Sequence, residues 1–298
     1  MCAQGAVWYF AFFYIQVFLE KSLGVPAETK DLLLIVMTVV SAPLYVFFGW
    51  LSDRMGRKFV MVGGMALALV LYFPASHWIA AAANPALVEA QRSTPVIIVT
   101  DPKTCTAQFD PVGTATFTSA CDIAKSSLVS SGISFTTRPS PDGSTRVVIG
   151  TEAVPVKGGD GLAAGDLKAF KAATGESIGT ELLAAGYPNS ANPAEMNMTL
   201  LIIILLAFVV AATALYGPQA AALVEMFPTR IRYTAMSFPY HVGTGWVGGF
   251  LPVTSFVIVA ITGNSYAGLW YSVIFTGISV VVSLLFLKET AGRRLEEI

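Results

Sequence analysis

Gly49-Trp50-Leu51-Ser52-Asp53-Arg54-Met55-Gly56-Arg57-Lys58 is the stretch whose reading decides the fold. Apolar residues run up to it from Leu32 and away from it from Phe59. Four of these ten residues are charged, three of them cations. Two membrane-length segments joined by so short a basic turn form a helical hairpin whose turn lies at the membrane surface. A cation at the bilayer centre costs about 2.5–3.5 kcal/mol on insertion scales, so the turn cannot sit deeper. Asp53 is placed to cap the following helix and to face its positive end. Gly49 and Gly56 allow close backbone approach or positive φ. The fork of Arg57 suits a carboxylate from another helix. Taken alone, the stretch also fits a plain basic loop.

Composition fixes the class. Apolar residues make up 54% of the chain and charged ones 12%, with a net charge of −1. That is a membrane protein's balance and offers nothing to nucleic acid. The three cysteines are Cys2, Cys105 and Cys121, and the two histidines are His77 and His241, with no metal-ligand spacing among them. No phosphate-binding loop, nucleophile elbow or zinc-protease helix occurs. No enzyme activity, cofactor or metal is expected.

Six spans are expected. Residues 3–19 form the first, barely at the roughly 20 residues needed to cross. They lack the basic start and small-residue cleavage site of a signal peptide. Their polar-tipped Trp8, Tyr9, Tyr14 and Gln16 serve either as packing aromatics or as cavity lining. After a polar turn, Asp31 stands at a helix N-cap position. Residues 32–50, with Pro43 as a kink, and 59–83 follow. Residues 84–197 are rich in Ser, Thr, Gly, Pro and Asp and too long for a loop, which marks an inserted domain. Strands are expected at Val96–Thr100, Ile133–Thr137 and Arg146–Ile149. Helices are expected at Cys121–Ser131, Asp166–Ala173 and Glu176–Ala185. This is a small α+β unit with a thin core. Residues 198–224, 234–261 and 267–287 are the remaining spans, the fifth dense in Gly and Pro. The division is therefore 1–83, 84–197, 198–287 and a tail at 288–298.

Short segments carry the clustered cations: Arg54, Arg57 and Lys58; Arg230 and Arg232; Lys288, Arg293 and Arg294. Six spans put all three on one side, and the positive-inside rule makes that side the cytoplasm. Both termini are then inside and residues 84–197 outside. The location expected is a bacterial inner membrane. There Cys105 and Cys121 can form a disulfide, the alternative being two buried thiols.

The residue order of the opening stretch resembles motif A of the major facilitator superfamily, G-x-L-x-D-R-x-G-R-K. The match falls on Gly49, Leu51, Asp53, Arg54, Gly56, Arg57 and Lys58. Glu225-Met226-Phe227-Pro228-Thr229-Arg230-Ile231-Arg232-Tyr233 resembles the loop between spans 10 and 11 in the sugar-porter and metabolite:proton symporter branches. Lys288-Glu289-Thr290-Ala291-Gly292-Arg293 resembles the P-E-T-K-G-R ending of the same branches. Lysine replaces proline here, and alanine replaces lysine. The resemblance implies an all-α polytopic membrane protein, the six-helix half of a major facilitator fold covering spans 7–12, with a small inserted α+β extracytoplasmic domain. It implies a secondary transporter of a small metabolite, of the organic acid or osmolyte class, driven by protons through alternating access. An N-terminal six-helix half would be its partner, beside the lipid bilayer.

In that fold the first, second, fourth and fifth spans here face the cavity. Tyr14, Gln16, Tyr216, Gln219, Tyr240 and His241 are then the substrate and proton candidates. His241 is read as a proton sensor or anion binder, the alternative being a neutral histidine bonded to a neighbouring helix. Asp53, Arg57, Glu225 and Arg232 are expected to form a cytoplasmic latch, the alternative being ordinary snorkelling charges. A reading of another class makes the insert the working part, as a membrane-anchored binding or sensing protein. A third is an inactive transporter fragment.

Overall fold

The computed structural model describes residues 1–108 and 116–292. Among the described residues, six helices are long and apolar enough to cross a membrane. They are α1 (Cys2–Ser22), α2 (Ala27–Met55), α3 (Arg57–Ala83), α7 (Met198–Met226), α8 (Arg232–Thr262) and α9 (Leu269–Phe286). Between α3 and α7 lie α4 (Pro85–Ser93), α5 (Ala120–Ser130) and α6 (Ala164–Ala184). The same segment carries the strands β1 (Val96–Thr100), β2 (Phe135–Pro139), β3 (Thr145–Ile149) and β4 (Glu152–Val156).

The helices overrun the apolar runs. α2 begins at Ala27, behind Pro26, so Asp31 is not its N-cap. Its other end continues to Met55, and α2 stays helical through Pro43. The ten-residue turn expected at Gly49–Lys58 therefore shrinks to Gly56, with φ of 100°. Asp53 is not a cap either, because it lies in the last turn of α2. Continuing the helix keeps backbone groups hydrogen-bonded where bilayer gives way to water. Helical geometry departs from 3.6 residues per turn at Phe10–Tyr14, Phe18–Ser22 and His241–Gly248, where the turns are π-type. α7 bends at Gly217-Pro218.

The bundle is held by aromatic packing and a few hydroxyl bonds. Phe10 meets Tyr72 edge-on at 4.8 Å and Phe208 at 5.1 Å, which joins α1, α3 and α7. The hydroxyls of Tyr72 and Thr276, 3.1 Å apart, tie α3 to α9. α2 and α7 cross closely at Gly217, where a Cβ would lie 2.9 Å from Gly49 N and from Tyr45 O.

The insert is a four-stranded sheet in the order β2-β1-β3-β4. β1 and β2 are parallel, joined by the α5 crossover, and the other two pairs are antiparallel. Val96 and Ile98 alternate inward from β1, beneath Ile123 and Leu128 of α5. This apolar core is continuous with that of the membrane helices. The two short helices expected near residues 166–185 are one helix, α6. Thr174 Oγ1 bonds back to Phe170 O at 2.9 Å, and the chain stays helical through Gly175. Cys105 and Cys121 are joined as a disulfide, Cα to Cα 5.2 Å, linking the segment after β1 to α5. The insert is also tied to the bundle. Phe135 N donates to Gly263 O (2.8 Å), Ala191 N to Gly24 O (2.9 Å) and Asn84 Nδ2 to Leu23 O (2.9 Å).

Candidate functional site

Two sites can be built from these elements. The first lies where α2, α3, α7 and the segment after α9 meet. Arg57, in the first turn of α3, sends Nη2 to Glu225 Oε1 (3.1 Å) and Nε to Glu225 Oε2 (3.4 Å). Its Nη1 donates to Ser52 Oγ at 2.7 Å and to Asp53, one turn back across Gly56. The Arg57 and Glu225 side chains are only 12% and 13% exposed, whereas Asp53 is 62% exposed. Thr290 Oγ1 closes on Glu225 Oε2 at 2.6 Å. Glu289 accepts from the main-chain N–H groups of Arg57 (2.8 Å) and Lys58 (3.1 Å), at the start of α3. It also accepts from those of Thr290 and Ala291. Burial alone pushes the Glu289 carboxyl up, but these four donors outweigh it and hold the group below the usual glutamate range. Gly56 completes the cradle, since a Cβ there would lie 2.8 Å from Glu289 Cδ.

Asp53, Arg57 and Glu225 thus come together, and Arg232 does not join them. Its Nε donates to Phe227 O at 3.0 Å, which holds the turn between α7 and α8. Arg54 lies over the Trp50 ring at 4.2 Å. Arg230 is exposed, and Lys58 Nζ reaches Leu284 O at 2.9 Å. Ser52, Glu289 and Thr290 were not singled out from sequence. The tail motif was the signal, but nothing in it named its partner. Arg293 and Arg294 lie outside the described residues.

The second site is a half-buried polar belt on α1, α2, α7 and α8. Trp8 Nε1 donates to Tyr45 OH at 3.0 Å, and Tyr216 packs against both rings (5.8 and 6.0 Å between centroids). Tyr216 also neighbours Tyr240 and Gln4. Thr244 Oγ1 donates to Gln4 Oε1 at 3.0 Å. Gln219, 3% exposed, has Nε2 against Met1 Sδ at 3.3 Å. Gln4 Nε2 and Gln219 Oε1 are buried without a hydrogen-bond partner among the described residues. His241 is exposed, with its ring edge-on to Tyr240 at 5.6 Å.

Tyr216, Gln219, Tyr240 and His241 fall in or beside this belt. Tyr14 and Gln16 do not. Tyr14 is 2% exposed and packs among Phe10, Phe18 and Phe256. Gln16 turns toward Met37 Sδ, at 3.9 Å. Gln4, Tyr45 and Thr244 were missed. A lone Gln, Tyr or Thr in an apolar run gives no signal unless its angular position is known.

The arrangement offers aromatic faces, hydroxyls and amides to a small polar molecule, with ion pairs holding the nearby helix ends. The Major Facilitator Superfamily model matches residues 1–89, and the Sugar (and other) transporter model matches residues 172–298. The chain thus resembles the major facilitator superfamily over its first three spans and the sugar transporter family over its last three. It is a multi-pass membrane protein with an all-α membrane portion. The two matches leave residues 90–171, most of the insert, between them. The chain is 30% identical over 92 residues to the glycine betaine/proline/ectoine/pipecolic acid transporter OusA of Dickeya dadantii (strain 3937). That stretch is 31% of this chain and 18% of that transporter's length. No solved structure matches.

Proposed function

We propose that the chain forms spans 7–12 of a secondary transporter of a small zwitterionic osmolyte, working by alternating access with an N-terminal six-helix half. The observation that carries this reading is the belt, in which four helices contribute aromatic and amide groups to one place. Trp8, Tyr45, Tyr216 and Tyr240 suit a cationic nitrogen held by ring faces and hydroxyls. Unpartnered Gln4 Nε2 and Gln219 Oε1 supply a donor and an acceptor. Protonated His241 would meet the carboxylate, which couples binding to a proton. The Asp53-Arg57-Glu225 cluster, with Ser52, Glu289 and Thr290, is the latch that closes the motif side in one state. By the positive-inside rule that side is the cytoplasm of a bacterial inner membrane, with the insert outside.

The experiment is equilibrium binding of labelled glycine betaine and proline to the purified protein, joined to a six-span first half. Binding should fall about tenfold in Trp8→Ala and in Tyr216→Ala, the loss of a desolvated cation–π contact of up to about 2 kcal/mol. It should be unchanged in Tyr14→Phe. Equal binding by all four proteins would reject the belt as the site. Binding by residues 84–197 alone would favour the sensor reading.

A further inference from the structure

α1 and α8 run side by side but do not keep one spacing. Near the start of α1 the two backbones touch, since a Cβ on Gly5 would lie 2.9 Å from Gly243 C of α8. Toward the insert they part. A cavity of about 420 Å³ there has Val17 of α1 on one wall and Val253 and Val257 of α8 on another, and Val129 of α5 forms a third. Ring contacts span the gap, Tyr14 with Phe256 at 5.8 Å and Phe18 with Tyr266 at 6.2 Å between centroids. The last turn of α1, Phe18–Ser22, is π-type, so no regular α ladder stiffens this end.

Four consecutive residues of the insert reach both helix ends. They are Gly132-Ile133-Ser134-Phe135, between α5 and β2. Gly132 has φ of 70° and lies so near the end of α1 that a Cβ would sit 2.5 Å from Ser22 C. Two residues on, the Ser134 and Ser265 hydroxyls are 2.9 Å apart, and Phe135 N donates to Gly263 O at 2.8 Å, which grips the turn after α8. Ile133 and Phe135 are buried, so the stretch is anchored by apolar packing as well. α5, just before it, is tied through Cys121 to Cys105. The turn after α1 has two more bonds to the insert, from Asn84 Nδ2 to Leu23 O and from Ala191 N to Gly24 O, both 2.9 Å.

We propose that the insert is a brace that fixes the separation of α1 and α8 on its side of the bundle. The two helices diverge toward the insert, and the stretch from Gly132 to Phe135 holds both diverging ends to one disulfide-closed unit. The apolar core runs unbroken from the insert into the membrane helices, so the brace and the bundle share one packed interior rather than a wet seam. The bundle then opens toward the insert only as a whole, and not by parting α1 from α8. This concerns the chain's own motion and stands whether or not the belt binds an osmolyte.

The test is electron paramagnetic resonance on the full chain in detergent. Cys2→Ser removes the free thiol, and spin labels go on Lys21→Cys and Ile261→Cys, exposed positions near the two ends. The braced chain should give one narrow distribution of distances between the labels. Gly132→Ala drives a Cβ into the end of α1, so the stretch must back away by about 1 Å to restore ordinary contact, and the distribution should widen about twofold. Gly263→Ala attacks the same joint from α8, where its Cβ would lie 2.9 Å from Phe135 Cδ2, and carries the test if Gly132→Ala fails to fold. Gly143→Ala is the control. Its φ of 72° imposes a similar backbone strain, but its Cβ would enter open space, so the width should stay native. Three results would overturn the proposal: a broad or two-peaked distribution in the unaltered seam, a native width in either folded joint variant, or a Gly143→Ala distribution as wide as theirs.

Discussion

Replacing Arg57 by Gln removes the cation on which the ion cluster converges and strands Glu225. The pair is close to buried, at 12% and 13% side-chain exposure, and removing one partner of a buried pair costs about 3–5 kcal/mol. Two features reduce that figure. Thr290 Oγ1 still donates to Glu225 Oε2 at 2.6 Å, and Asp53 is exposed enough to be solvated when its partner is lost. The expected loss for Arg57→Gln is therefore about 2–3 kcal/mol. Glu225→Gln should cost less, about 1–1.5 kcal/mol, because Arg57 keeps Asp53 and Ser52. Arg54→Gln is the control. It loses the contact over Trp50, worth about 0.5–1 kcal/mol at an exposed site. The assay is equilibrium unfolding in mixed micelles at fixed detergent composition, followed by helical circular dichroism. If Arg57→Gln loses no more stability than Arg54→Gln, the cluster is a set of snorkelling charges and the latch argument fails.

Three further outcomes follow from the same geometry. The Glu289 carboxyl is held below its usual range when folded, so its contribution is present above the unfolded value of about 4.3 and lost as pH falls through the lower folded value. Stability measured between pH 6 and pH 3 (about the range that brackets this window) should drop more steeply in the native chain than in Glu289→Gln. Gly56→Ala should cost about 1–3 kcal/mol, because alanine must adopt φ of 100° and its Cβ displaces the Glu289 carboxylate; the same unfolding assay reads it. Cys105→Ser with Cys121→Ser opens a bridge of sequence separation 16 and should cost the insert about 3 kcal/mol. Limited proteolysis should then cut faster within residues 84–197 while cleavage elsewhere keeps its rate.

The membrane helices were legible because hydropathy over roughly 20 residues needs no knowledge of neighbours. Their ends were not, since polar residues such as Glu28 and Asp53 continue the helix where composition suggests a stop. Motif order pointed to Arg57 and Glu225, but the role of Glu289 depends on main-chain donors 232 and 231 residues away. The belt was half legible. Tyr216 and Tyr240 sit where span order places them, whereas Tyr14 and Gln16 face the core and Met37. Each π-type turn adds a residue and rotates the following face. Such turns occur twice in α1 and once in α8, so a 3.6-residue period misplaces the side chains beyond them.

The most direct measurement is uptake of labelled glycine betaine, proline and ectoine by cells lacking their own osmolyte carriers. These cells would express this chain joined to a six-span first half. The account predicts saturable uptake of at least one of the three, abolished by collapse of the proton gradient and lost in Tyr216→Ala/Tyr240→Ala at equal membrane abundance. Uptake unaffected by the double substitution, or none of the three taken up by a well-folded joined protein, would contradict it.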